Sequence, residues 1–439
     1  MNVRDDPTPR RTTSRGGGEN AASITTPFIE ALIGRPPPVQ IRFFDGSSVG
    51  PEDADAVVHV RSKDAIRRIL FSPGEIGVAR AFIAGEIEVE GELAACLRAL
   101  GDTVDKQRPR FSAKVAAAGL GAAIRLGALG PPLPAPKEEV RPSGPRHSRR
   151  RDSQVVRHHY DVGNDFYRLV LGPTLVYSCA RFVSNNTSLD DAQEAKLDLT
   201  CRKLGLAERE GLRLLDVGCG WGSMVLHAAA NYGARAIGIT LSPEQAELAR
   251  DRVKEAGLDD RVDIRVQDYR DLGDERFDAI SSIGMFEHVG SKKMSEYFRV
   301  LYGLLGKQGR LLNHAIAKPG TSRITPSSFI GRYVFPDGEL IDVGEAILAM
   351  ERAGFEVRDV EGLREHYAKT LHQWVANLEA RWDEAVAYVG ESRARVWRLY
   401  MSASENRFLD GRLGVFQTLG VKTDDSGRSG LPLTRTNWD

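Results

Sequence analysis

The sequence predicts an α/β protein: a doubly wound parallel sheet over residues 153–425, preceded by a small α+β domain over residues 26–105. Three observations carry this expectation. From about Gly211 onward, apolar strand-like runs alternate with helix-like ones, the pattern that winds a parallel sheet. The first of these runs, "LRLLDVG", is apolar until it meets Asp216, as a strand covered on both faces must be. It then crosses three glycines in five positions, "GCGWG", and continues as a helix. In such sheets that turn lies at the carboxyl ends of the strands, where ligands bind.

Taken in order, residues 1–25 are rich in Arg, Thr, Gly and Pro and read as a disordered tail. "VQIRFFDGSS" and "AVVHVRS" read as strands of the small domain, and "KDAIRRILF" and "ELAACLRAL" as its helices. Over residues 106–152 the composition shifts to a Pro-rich centre with basic flanks, the profile of a linker. Its end, residues 146–151, is the densest positive patch in the chain, either a solvated linker or a contact for anionic headgroups. After the first strand come helix "SMVLHAAANYG", strand "ARAIGIT" and helix "SPEQAELARDRVKEAG", which a Ser opens as a cap. Strands "RVDIRVQD" and "FDAISSIG", helix "KMSEYFRVLYGLLG" and strand "GRLLNHAI" follow. Residues 426–439 read as a flexible tail.

A chain of 439 residues exceeds one ordinary domain. Its 60 Lys and Arg balance 60 Asp and Glu, so no global field steers it to nucleic acid, which is not an expected partner. Cys96, Cys179, Cys201 and Cys219 show no paired spacing, which argues against a disulfide framework and a zinc knuckle. No metal is expected, and a reduced, cytoplasmic setting fits. No apolar signal core and no run near the roughly 20 residues that span a bilayer is visible. The expectation is a soluble protein, peripheral to the inner face of a membrane at most.

The glycine turn departs from the dinucleotide pattern: it lacks the spacing fitted to a pyrophosphate, and no phosphate-binding Lys follows. Gly218, Gly220 and Gly222 instead let a ligand without phosphates lie against bare backbone. The second strand runs into Thr240 and Leu241 without the usual ribose-binding acid, which leaves Gln245 on the next helical turn to meet the hydroxyls. At the end of the third strand Asp268 can accept from an adenine amino group while Tyr269 packs on the ring. The ligand that matches this phosphate-free nucleoside site is S-adenosylmethionine, with other nucleosides as the alternative. His227 receives no role.

Four further segments carry residues an ordinary sheet domain does not need: "HHYDVGNDFY" (158–167), "VYSCARF" (176–182), "GMFEHVG" (284–290) and "LLNHAI" (311–316). On these motifs, in this order, the sequence closely resembles the cyclopropane fatty acid synthase family. That family includes the mycolic acid cyclopropane synthases and relatives that methylate or methylenate unsaturated acyl chains. The resemblance covers residues 150–420 strongly. The N-terminal domain resembles, more weakly, the leading domain of phospholipid-acting members.

The resemblance implies a class I methyltransferase fold, Rossmann-like, with S-adenosylmethionine held by Tyr177, Ser178, Gly218, Gly220, Thr240, Leu241, Gln245, Asp268 and Tyr269, and with Ile283 packed beside it. It further implies a bicarbonate ion held by the backbone amides of Cys179 and Ile316 and the side chains of Glu287, His314 and Tyr367. Tyr160 would close the site over the sulfonium, since an aromatic face favours a cation. Where some relatives have a Cys, this chain has Ser404.

Such a set suits the chemistry. An alkene is a poor nucleophile, so the sulfonium must be held close and in line with it. The resulting carbocation must be shielded from water and must lose a proton to a base. Bicarbonate serves as that base and as a counter-charge, with Glu287 orienting it and receiving the proton. The implied substrate is an unsaturated acyl chain of a membrane phospholipid, reached by peripheral membrane contact, with a homodimer expected. The implied product is a cyclopropane fatty acid; a 10-methylene precursor of a 10-methyl branch is the alternative. Methylation of a small soluble acceptor, or a silent lipid-binding paralogue, are the readings from other classes.

Overall fold

A computed structural model of the chain describes residues 19–33, 37–107, 113–140, 151, 162–320, 327–336, 338–436 and 438. The N-terminal part is a four-stranded sheet of β1 (Gln40–Phe43), β2 (Ser48–Val49), β3 (Val57–Val60) and β4 (Ile87–Glu90), in the order β2-β1-β3-β4. The helix Lys63–Phe71 begins where the sequence places it, because the Ser62 side chain accepts from the amide of Asp64.

The larger sheet contains β5 (Arg213–Val217), β6 (Arg235–Thr240), β7 (Val262–Val266), β8 (Phe277–Ile283), β9 (Leu305–Ala317), β10 (Glu356–Gly362) and β11 (Gly414–Val421). Their order is β10-β11-β9-β8-β5-β6-β7. Strands β7, β6, β5, β8 and β9 run parallel, whereas β11 inserts antiparallel between β9 and β10. The sheet is therefore mixed at one edge. Apolar clusters cover both faces: Leu214, Ala236, Ala279 and Leu312 pack on one side, and Leu215, Ile237, Ile280 and Leu311 on the other. This two-sided burial explains the nearly continuous apolar strands.

Three segment boundaries differ from the sequence expectation. The helix Ala21–Ile33 starts inside the stretch read as a tail, with Ala21 and Ala22 buried and their amides held by Asp45 (2.7 Å) and Ser47 (2.9 Å). Within the linker, Ala113–Arg125 is helical, since its Ala-rich composition favours helix where no Pro intervenes. Near the C-terminus, Trp438 is buried in the sheet domain's core, and Arg435 pairs with Asp359 at 2.6 Å. The basic stretch 146–150 and Tyr160 lie outside the described residues.

The Pro-rich segment after that helix is a strut. The buried Glu139 side chain receives Arg80 from the N-terminal domain at 2.8 Å and Arg332 from the sheet domain at 2.9 Å, with the Tyr333 hydroxyl at 3.0 Å. The two parts also share one apolar core, in which Phe82 and Ile83 join Phe166, Tyr167 and Trp397. Burial alone would raise the Glu139 pKa, but Arg80, Arg332 and Tyr333 together hold it below the usual value. A depressed pKa contributes stability that is present above the unfolded value, about 4.3, and lost as pH falls through the folded one. Glu139→Gln is therefore expected to cost about 2 kcal/mol at neutral pH, with the difference shrinking in acid. Thermal melts at pH 7 and pH 3 check this; equal differences at both would contradict it.

Candidate active site

The carboxyl end of β5 builds the first cavity. Gly218, Gly220 and Gly222 all have positive φ (81°, 54° and 81°), which a side chain would strain. The amides of Gly218 and Cys219 both donate to the Ile239 carbonyl at 2.9 Å, locking the turn against β6. A Cβ on Gly220 would meet nothing within 4 Å, because that side of the backbone faces the cleft.

This cavity holds about 150 Å³ and is lined by Tyr177, Ser178, Gly218, Gly220, Thr240, Leu241, Gln245, Asp268, Tyr269 and Ile283. Every described residue expected to hold the cofactor is thus brought together. Thr240 Oγ1 donates to Gln245 Oε1 at 2.8 Å, which leaves the amide NH₂ as the donor that this side chain can offer to the cavity. Asp268 is already engaged: Arg270 donates to its two oxygens at 2.8 and 2.5 Å. The expected adenine amino group would have to use other lone pairs of that carboxylate.

Two lining residues carried no role in the sequence reading. Asp216 is buried, accepts from Ser281 at 2.6 Å, and is raised by burial to about 6. Lys196, also buried, donates to Ser178 Oγ at 3.0 Å and is lowered by burial to about 8. The signal for Asp216 was visible, as the carboxylate that ends an apolar strand. Lys196 sits in a polar-looking helix and gave none.

A second cavity of about 400 Å³ adjoins the first and shares Tyr177, Ser178, Gly284 and His288 with it. Its wall includes Phe329, Ile330, Phe335, Leu340, Leu371 and Val415, so most of it is apolar. The expected chemical residues all line it: Cys179, Glu287, His314, Ile316 and Tyr367. Ser404 lines it as well, as does Tyr400, whose hydroxyl receives that of Tyr177 at 3.3 Å. Glu75, from the N-terminal domain, completes the wall and accepts from the Phe329 amide at 3.2 Å.

Glu287 sits on a short 3-10 turn after β8. Its Oε1 receives the Ile316 amide at 2.7 Å, whereas its buried Oε2 has no partner. The Ile316 amide is thus bonded to Glu287 here, not turned free toward an anion as the resemblance implied. Burial raises the Glu287 pKa to about 7 against the bond from Ile316. His314 on β9 is buried and neutral, lowered by burial to about 3, and its Nε2 has no partner. The Cys179 thiol is fully buried and its pKa pushed up, so it is no nucleophile. Tyr177 packs among Tyr167, Trp374 and Trp397, with ring centroids 5.3–5.9 Å away.

A glycine-lined nucleoside cleft beside β5, on a seven-stranded sheet with one reversed strand, defines an S-adenosylmethionine-dependent methyltransferase of class I. Comparison with known proteins agrees. The profile of the family described as mycolic acid cyclopropane synthetase matches residues 147–418, and the chain belongs to that family. The chain is 42% identical over 410 residues to a probable fatty acid methyltransferase of Mycobacterium tuberculosis, covering 90% of this chain and 94% of that one. It is 33% identical over 378 residues to the cyclopropane-fatty-acyl-phospholipid synthase of Escherichia coli strain K12, covering 85% and 90%. Among solved structures, mycolic acid cyclopropane synthase CmaA1 complexed with SAH and CTAB is 34% identical with a TM-score of 0.58, covering 62% of this chain and 98% of that one. Among the described residues no helix is long and apolar enough to cross a membrane.

Proposed function

We propose that this enzyme methylates the double bond of an unsaturated fatty acyl chain in a membrane phospholipid, with bicarbonate as base, to give a cyclopropane fatty acid. The observation that carries the reading is one apolar cavity, open to the cofactor cleft, in which Glu287 Oε2 and His314 Nε2 are both buried and unpartnered. A purely lipid-binding cavity would leave neither atom orphaned, because each costs about 1–3 kcal/mol without a partner.

S-adenosylmethionine supplies an electrophilic methyl group when bound. The glycine turn, Gln245 and Asp268 would hold it in the first cavity, whose wall at Tyr177 and Ser178 is shared with the second. Phe335, Leu371 and Val415 exclude water from the positive charge that then develops on the acyl carbon. The two unpartnered atoms fit bicarbonate, with His314 Nε2 facing an oxygen and Glu287 Oε2 its hydroxyl, and the Tyr367 side chain in the same wall would face a further oxygen. Bicarbonate there supplies a base and a negative charge. Glu287 accepts the released proton at Oε2 while its Oε1 stays on the Ile316 amide.

The phospholipid form of the substrate is supported by two features. The N-terminal domain contributes Glu75 to the cavity wall, and the exposed Arg407 and Arg412 line it too, as cations suited to a headgroup phosphate. Incubation with methyl-labelled S-adenosylmethionine and oleoyl phospholipid tests the reading. Label in the fatty acid is expected, in a product that resists mild hydrogenation as a ring does and a methylene does not. Label only in a small soluble acceptor would overturn it.

A further inference from the structure

His314 on β9 is paired across the sheet with Gln417 on β11. Both are buried, and Gln417 Nε2 lies 3.3 Å from His314 Nδ1. On the other side of the amide, Lys203 Nζ lies 3.0 Å from Gln417 Oε1. An ammonium has only donors, so the atom facing it must be the amide oxygen. That leaves the amide NH₂, which can only donate, facing the imidazole. A ring nitrogen that receives a hydrogen bond carries no proton, so the single proton of the neutral ring sits on Nε2. Nε2 is the atom left without a partner in the second cavity.

Lys203 is held firmly for this task. It is the last residue of the helix Leu189–Lys203, is 2% exposed, and lies 3.0 Å from the equally buried Asp359 and 2.5 Å from Glu361, both on β10. The two carboxylates pair with the ammonium and fix its position. Were it neutral, its nitrogen could accept, and the amide could turn over.

We propose that Lys203 and Gln417 are positioning residues that fix His314 as an Nε2–H donor aimed into the second cavity. The ring therefore greets an oxygen lone pair and repels a donor. Its value for catalysis rests on the bicarbonate reading above, but the tautomer itself does not.

Gln417→Glu tests this with almost no change of shape. A carboxylate accepts from Lys203 and must also accept from His314, which draws the ring proton to Nδ1 and turns a lone pair into the cavity. Turnover is expected to fall by about 10²-fold, the usual loss when one donor to a charged site is removed, with cofactor affinity unchanged. The decisive readout is the histidine tautomer from two-bond nitrogen–proton correlation spectra, with His314 identified by its loss in His314→Gln. In the native enzyme a protonated Nε2 and a bare Nδ1 are expected, and in Gln417→Glu a protonated Nδ1. A native spectrum with Nδ1 protonated overturns the proposal, and that result needs no folded Gln417 variant. An unchanged tautomer in Gln417→Glu overturns it as well. If the tautomers follow expectation but added bicarbonate leaves turnover unmoved, the relay stands and the bicarbonate reading fails.

Discussion

Glu287→Gln is expected to lower turnover by about 10²- to 10⁴-fold while leaving affinity for S-adenosylmethionine unchanged. Glutamine keeps the oxygen that receives the Ile316 amide but puts an NH₂ where the proposed proton path needs Oε2 to accept. Isothermal titration with S-adenosylhomocysteine, beside a turnover assay, separates the two effects. Full turnover in the variant would remove Glu287 from the proton path. The native enzyme's activity is correspondingly expected to rise as pH passes about 7, where burial has placed this carboxyl.

The same substitution has a stability signature of opposite sign. A carboxyl raised in the folded state is still neutral while its unfolded counterpart, near 4.3, has already ionised. Stability is therefore lost as pH rises from that value to about 7. Glutamine cannot ionise and escapes the loss, so the variant is expected to be more stable than the native enzyme at pH 8, by about 3–4 kcal/mol, and similar to it at pH 4. An enzyme that is stabilised by the change that disables it is one whose site is built against its own folding energy.

Gly220→Val is expected to weaken S-adenosylhomocysteine binding by about 10²-fold or more. A β-branched residue at φ 54° costs about 1–3 kcal/mol of backbone strain, and its side chain would stand in the open cleft that the cofactor needs. Glu287 lines the second cavity and not the first, so the pH dependence of stability should be that of the native protein. Retained affinity would show that the cofactor lies elsewhere.

The larger sheet was legible because its strands are buried on both faces and its turns carry glycine and serine signals that need no tertiary context. The reversed β11 was not. Its residues "GVFQTLGV" read as strand in either direction, and only the long helix Glu391–Leu409 before it decides which way it enters. The ordered ends of the two tails and the helix within the linker depart from expectation for a related reason. Composition reports solvation, but Ala21, Glu139 and Trp438 are ordered by partners tens to hundreds of residues away, namely Asp45, Arg332 and the sheet core. At the site, motif residues at strand ends were legible, whereas Lys196, Lys203, Tyr400 and Gln417 became visible only once helix and sheet had been packed together. Their roles come from burial and mutual distance, which no local pattern records.

The most direct test of the account is to supply S-adenosylmethionine with a fully deuterated methyl group and to weigh the fatty acids formed. A base that collects a proton from the transferred methyl must leave two deuterium atoms on the added carbon, whether the product is a ring or a methylene, and that is the expected result. Retention of all three would mean that the methyl arrives and stays intact, and would contradict a site built around Glu287 and His314 for removing a proton.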